Sequence, residues 1–532
     1  MKNTIPKIFI IFIMLVCFCT QKETRKITDQ FISIKNDKFI DAQGRQIILH
    51  GINLVNKNKS KNYLGDEGAE DFAAMKEWGF NCIRLGIIWD GLEAEPGVYD
   101  DKYLEGIDKR IAMARDNGLY IFLDMHQDLY SVKYSDGAPE WATITEDMPH
   151  IKDGAIWSDA YFASMAVQTA LDNFWNNTPG PDGIGIQEHY ARAWKYVAER
   201  YANETTVIGY DLMNEPFLGK AAQQILPAML KKGVEVFAAV DDTQLQSAEE
   251  LVERLATDDG RFEILQRLCN KEIYSSIIDV TYPIYSQFER TKLMSMYQRV
   301  TNAIREVDKN HIIFLETTMG SNMGVYSSIE PVVGADGKRD PLQAYSPHGY
   351  DLVTDTKFVA SPCSERIKLI FERHGETAQR LNMPMLVGEW GAYGSRTGTL
   401  PAAREVVRLF EKLLCSDTYW DFSKNIHKTD HFKALNRPYP QRICGALKEY
   451  FFEPETGKFT CVWLDDKDLE SPTVIYIPAW LKVDLRNINL FPVAEGYELT
   501  TVSETSQSSL LIIPPSKDGG ERKITLSLVE NK

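Results

Sequence analysis

A chain of 532 residues, 44% apolar and 25% charged, has the make-up of a soluble globular protein and is long enough for one large domain with an appendage. Its net charge of -16, with no extended grouping of Lys and Arg, excludes nucleic acid as a partner, because phosphate binding needs a concentrated basic surface. A neutral substrate suits that balance.

The chain opens with "MKNTIPKIFIIFIMLVCFCTQKETRK". Lys2 and Lys7 precede an unbroken apolar run from Ile8 to Cys19, and a polar stretch follows, which is the order of a secretory leader. The run is well short of the roughly 20 residues that a membrane-spanning helix requires. Residues 1–19 are therefore expected to be a leader, and the protein to be exported: periplasmic, outer-membrane or secreted. Cys19, followed by polar Thr20 and Gln21, resembles the lipid-attachment cysteine of bacterial lipoproteins, although Phe18 stands where that pattern prefers a small residue. The alternative is that Cys17 and Cys19 are small hydrophobes in a discarded leader. The other six cysteines are scattered, with no C-x-x-C pair and no close histidines. That argues against a zinc site or a dense disulfide scaffold and for mostly buried thiols, with one or two disulfides left open.

After the leader, "FISIKNDKFIDAQGRQIILHGINL" alternates short apolar runs with Asn36-Asp37 and Gln43-Gly44 turns, as an opening β-ribbon does. Eight β-rich apolar segments follow: 47–54, 82–86, 119–125, 207–213, 311–316, 344–348, 385–389 and 418–422. Between them lie stretches of helical period such as "DKYLEGIDKRIAMARDNG" and "ERIKLIFERHGETAQRLN", several ending in Asn or Gly, which is stop chemistry for a helix. Eight strand-then-helix units predict an α/β fold, a (β/α)8 TIM barrel over residues 30–434. An open doubly wound sheet is the rival, but no Gly-rich phosphate turn follows the first strand. Two connections are too long for plain loops: 127–187, dense in aromatics, and 217–292, which reads as inserted helices. Connections after barrel strands surround the active face, so these insertions are expected to wall the site. From "NRPYPQRICG" onward only short strand-like runs remain, predicting a small C-terminal antiparallel β-sandwich over 435–532.

In such a barrel, catalysis uses polar residues at the carboxyl ends of strands. Those ends carry Arg84 in "NCIRLG", His126, Gln127 and Asp128 in "LYIFLDMHQD", Asn214 and Glu215 in "GYDLMNEP", His348 and Tyr350 in "AYSPHGY", Glu389 and Trp390 in "MLVGEWG", and Trp420 in "TYWDFSKN". Each has a bland reading alone: Asn-Glu-Pro as a strand-to-helix turn, Arg84 as an ion-pair partner, His126 as a core histidine, Trp390 and Trp420 as packing. Their conjunction on successive strand ends points instead to a glycosidase. One carboxylic acid protonates the leaving oxygen, a second carboxylate attacks the anomeric carbon, and the two must titrate differently.

These motifs, with "LHGINLVNK", "GAPEWA", "AVQTALDNFWNN" and "RPYPQRICG", closely resemble glycoside hydrolase family 5, in particular its endoglycoceramidases and glycosylceramidases, from about Ile32 to the C-terminus. The resemblance implies Glu215 as acid/base and Glu389 as nucleophile. It implies Asn214 beside the sugar's 2-hydroxyl, a supporting shell of Arg84, His126, His348 and Tyr350, and sugar contacts from Lys57, Asp128 and Trp420. Around the eighth strand the wording departs from the group's, which makes Trp420 the loosest match. The implied reaction is retaining hydrolysis between glycan and ceramide, with no metal or organic cofactor, a glycolipid substrate drawn from a membrane or micelle, and a monomeric enzyme. Alternatives are removal of a single sugar from ceramide or a sterol, an endo-β-1,4-glucanase, and a non-catalytic glycan-binding lipoprotein.

Overall fold

The computed structural model describes residues 30–531 apart from 153, 155, 241–246 and 493–495. The leader and Cys19 lie outside the described residues. Among those described, eight parallel strands run in chain order around a barrel: β1 (His50–Leu54), β2 (Cys82–Ile88), β3 (Tyr120–His126), β4 (Val207–Asp211), β5 (Ile312–Leu315), β6 (Gln343–Tyr345), β7 (Leu386–Val387) and β8 (Ser416–Tyr419). A parallel bridge from Tyr345 to Met385 closes β6 on β7. The strands are buried on both faces, as parallel strands covered by helices must be. Backbones approach closely: a Cβ on Gly209 of β4 would stand 2.2 Å from the carbonyl oxygen of Ile312 on β5, so only glycine fits there.

The predicted helices form where their stop signals place them. Asp101–Asn117 starts at Asp100, whose carboxylate accepts from the Lys102 and Tyr103 amides, and ends at Gly118 with φ 69°. Ser364–Leu381 ends at Asn382 with φ 47°. The sixth and seventh strands are each cut in two. Pro347, which has no N–H for a ladder, separates β6 from His348–Gly349, and Gly388 separates β7 from Glu389–Trp390. The two outer fragments pair with each other in parallel, His348 opposite Glu389, and so hold two site residues side by side at the mouth.

The connection after β3 carries the helix Met165–Trp175. The connection after β4 is a helical subdomain from Ile225 to Phe288 with a small core of Phe237, Leu251, Ile264, Ile273 and Ile277. The C-terminal region forms two antiparallel layers. One has the order Gly445–Glu453, Lys458–Asp465, Gly520–Glu530, Leu481–Phe491, and the other is seven-stranded. The opening ribbon (Ser33–Lys35, Lys38–Ile40, Gln46–Ile47) belongs to that seven-stranded layer, because Ile47 and Gln46 pair with Arg442 and Ile443. Its Ile32 and Phe39 meanwhile pack with Phe122, Ile208, Phe314 and Leu386 of the barrel strands. The ribbon is thus hydrogen-bonded to one region and packed into the other. The six described cysteines are free thiols, all buried except half-buried Cys269.

Candidate active site

Arg84, fully buried on β2, is the hub of the mouth. Its guanidinium donates to Asp211 Oδ2 (2.9 Å), Glu389 Oε1 (2.6 Å), Glu316 Oε1 (2.6 Å), Asn53 Oδ1 (3.2 Å) and Asn214 Oδ1 (3.0 Å), and lies 2.9 Å from Asp124 Oδ1. Burial disfavours its charge, but Asp124, Asp211, Glu316 and Glu389 outweigh that and hold it ionised. A planar fork with five donors suits such a multi-carboxylate centre, and a lysine would not match it.

Above Arg84 stand Glu215 and Glu389. A carboxylate oxygen of each and a ring nitrogen of His348 all lie within 4.8 Å of one another. Glu389 accepts from Arg84 and from the Tyr350 hydroxyl (2.8 Å). Glu215 accepts from Asn322 Nδ2 (2.7 Å) and faces His348 Nδ1 at 2.9 Å, while its own amide donates to Glu316 Oε2 (2.8 Å). Its backbone, at φ 41°, is in the left-handed region that costs a non-glycine residue energy, the kind of strain that collects at functional sites. Burial, with the charge of Glu215, pushes the Glu389 carboxyl up to about 7 against the pull of His348 and Arg84. Burial also raises Glu215, but the bond and charge of His348 outweigh it and leave that carboxyl below its ordinary range. His348 itself is disfavoured as a cation by burial, yet Glu316, Glu389 and Glu215 hold it well above an ordinary imidazole.

The cleft holding this pair has a volume of about 330 Å³. Its lining combines polar Lys57, His126, Asp128 and Asn214 with apolar and aromatic Phe162, Tyr285, Met319, Met323, Leu352 and Trp420. Lys57 bonds Asp128 and sits 4.9 Å from the centre of the Trp420 ring, which stacks on His126 at 5.3 Å. Burial opposes the Lys57 charge, but Asp128 and Asp136 keep it. Burial likewise opposes a charged His126, which Asp124 at 2.7 Å restores. The groupings Asp124, Asp211, Glu316 and His126, Asp128, Asp136 have the close spacing of metal ligands, and here Arg84 and Lys57 respectively supply the positive charge.

Of the residues singled out in the sequence, Lys57, His126, Asp128, Asn214, Glu215, Tyr350, Glu389 and Trp420 line this one cleft, with Arg84 and His348 directly beneath. Trp390 is core: it is fully buried and its Nε1 donates to Asp417. Sequence reasoning missed Glu316 and Asn322. Glu316 follows the last residue of β5 in "HIIFLETT", where the strand-end rule alone would have found it. Asn322 closes a one-turn helix, Met319–Asn322, which is too short to leave a periodic signal.

Two carboxyl groups that bring oxygens within 4.8 Å of each other across a barrel mouth fit the close pair of a retaining glycoside hydrolase rather than the roughly 6.5 to 9.5 Å of an inverting one. The chain matches the family described as Cellulase (glycosyl hydrolase family 5) over residues 40–426 and the Glycoside hydrolase family 5 C-terminal domain over 437–526. It is 30% identical to an endoglycoceramidase of Cyanea nozakii, over 99% of this chain and 100% of that one, and 26% identical to a glucosylceramidase of Aspergillus fumigatus, over 43% and 37%. Among solved structures, endo-glycoceramidase II from Rhodococcus sp., captured as a lactosyl-enzyme intermediate, superposes with a TM-score of 0.69 at 25% identity, covering 93% of this chain and 99% of that one. This protein belongs to glycosyl hydrolase family 5.

Proposed function

We propose that this hydrolase cuts the β-bond between an intact glycan and ceramide in glycosphingolipids, with Glu215 as acid/base and Glu389 as nucleophile. The observation that carries the reading is the close pair set in a cleft lined by both polar and large apolar side chains, which suits a sugar joined to a lipid. Full-length similarity to an endoglycoceramidase supports it. The donor sets support the two roles. Glu389 is held by Arg84 and Tyr350, neither of which loses its proton in the working range, and fixed donors favour a carboxylate ready to attack. Glu215 has a titratable partner, His348. The pair works with one shared proton, which must stand on Glu215 when the leaving oxygen arrives. His348 Nδ1, 2.9 Å from Glu215 and 3.5 Å from Glu389, bridges the two. Attack then forms a glycosyl ester on Glu389 as Glu215 protonates the departing ceramide oxygen. Water activated by Glu215 hydrolyses the ester with net retention.

The second reading, release of a single sugar from ceramide, has the similarity to glucosylceramidase in its favour. Incubating the enzyme with a long-glycan ganglioside and with glucosylceramide in mixed micelles, followed by mass analysis, separates the two. Release of a whole oligosaccharide is expected, and turnover of glucosylceramide alone would reverse the order. The same proposal takes the enzyme as an exported monomer anchored through Cys19, fed from a membrane or micelle. Labelled palmitate incorporated by the native chain and absent from Cys19→Ser tests the anchor.

A further inference from the structure

The cleft opens onto a rim with large apolar side chains exposed. Trp157, which lines the cleft, is 44% exposed; Met148 (38%) and Ile151 (40%) lie on the same excursion after β3, and Leu226 (51%) stands in the first turn of the helix Ile225–Val240 after β4. Contacts join these pieces. Ala166 N–H donates to the Pro149 carbonyl (3.2 Å), His150 Nδ1 lies 2.9 Å from Ser164 Oγ, and Gln223 Nε2 donates to Gln168 Oε1 (2.9 Å) beside Met165 Sδ (3.0 Å). Segments 148–151, 164–168 and 223–226 thus form one strip. Both excursions leave the carboxyl ends of their strands, so the strip borders the mouth.

Single exposed apolar residues are ordinary, whereas several together at a mouth mark an interaction surface. Charge narrows the occupant. The strip's exposed ionic groups have both signs, Glu146 and Asp147 beside Lys152, and the chain as a whole carries -16, so no basic field attracts anionic headgroups. We infer that this strip docks the enzyme on a neutral lipid surface by apolar burial, so that the apolar part of the substrate passes from lipid into the cleft beside Trp157 without crossing water. The inference rests on the ceramide reading for its purpose, but the docking itself is measurable without it.

The test is co-sedimentation of the full chain with phosphatidylcholine vesicles, comparing wild type with Leu226→Gln and with Met148→Gln/Ile151→Gln. These positions lie outside the cleft lining, and Leu226 is exposed enough for the change to leave the fold alone. Each variant is expected to lose about tenfold in vesicle partition, the scale of one or two exposed apolar side chains. Turnover of a soluble aryl β-glycoside should stay within about twofold, and raising salt from roughly 0.05 to 0.5 M should leave wild-type binding in place. Hydrolysis of a glycolipid displayed in the vesicles should fall with the partition. Wild type that ignores neutral vesicles, binding abolished by salt, variants that partition like wild type, or equal loss on the soluble substrate would each overturn the inference. Tight vesicle binding with no glycolipid hydrolysis would support the docking and defeat the ceramide reading alone.

Discussion

Tyr350→Phe isolates one hydrogen bond in the reactive pair. The change removes only the hydroxyl that donates to Glu389 Oε2 at 2.8 Å, leaving the ring and the Arg84 contact in place. A hydrogen bond to a charged group is worth about 1.5 to 3 kcal/mol, more than the bond the protonated carboxyl would keep. Its loss therefore destabilises ionised Glu389 and raises the carboxyl from about 7 by about one to two units. The direction is opposite to what loss of a like charge would give.

The assay is kcat/KM against pH. The pair works with one proton, so the wild-type profile should be a bell: the basic limb near 7, from the raised carboxyl, and the acidic limb below the ordinary carboxylate range, from the lowered one. These limbs belong to the pair, whichever member holds the proton. In Tyr350→Phe the basic limb should move to higher pH while the maximum falls about tenfold to a hundredfold, since the attacking carboxylate has lost a fixed donor. A basic limb that stays put or moves down, with thermal unfolding unchanged, would refute the assignment of Tyr350 as a donor to the nucleophile.

Glu215→Gln should fold normally and lose about a hundredfold to ten-thousandfold on glycolipid, yet still give a burst with a dinitrophenyl leaving group that needs no acid, whereas Glu389→Gln should give neither; reversed behaviour would exchange the roles. Glu411, buried and pushed up to about 7 from an ordinary 4.5, binds a proton more tightly folded than unfolded, so its penalty is absent below 4.5 and complete above 7. Melting curves should therefore show Glu411→Gln gaining on wild type as pH rises from about 5 to 8; a gap independent of pH would contradict this.

The barrel was legible because its strands are short β-rich runs separated by capped helices of clear period. Less legible were features set by contacts distant in sequence. The segment from Ile47 to Leu54 reads as one strand, but Ile47 pairs with Arg442 while His50 begins β1, where its buried ring meets Asp417 at 3.0 Å. No local pattern separates those two allegiances. The segments at 344–348 and 385–389 likewise hide a break, although Pro347 announced one of the two. Strand-end chemistry found the carboxylate pair and most of the polar groups that line the cleft around it. It missed Asn322, whose role depends on where a single helical turn lands relative to Glu215.

The buried charges also explain why one proton, rather than none or two, belongs to the pair. Five buried carboxyl groups, Asp124, Asp211, Glu215, Glu316 and Glu389, gather round Arg84, His126 and His348. Glu316 lies 2.6 Å from Arg84 and 3.4 Å from His348, so it touches both cationic sides of the pair. With more carboxyl groups than cations, burial disfavours a second full charge on the pair and favours one proton shared between Glu215 and Glu389. The glycosyl-enzyme satisfies the same condition without that proton: Glu389 is then an uncharged ester, and Glu215, having given its proton to the leaving oxygen, is the one anion of the pair. Each half-reaction therefore begins and ends with a single negative charge on the pair. That accounts for one carboxyl of the pair pushed up to about 7 and the other held below its ordinary range, because the two share a single proton.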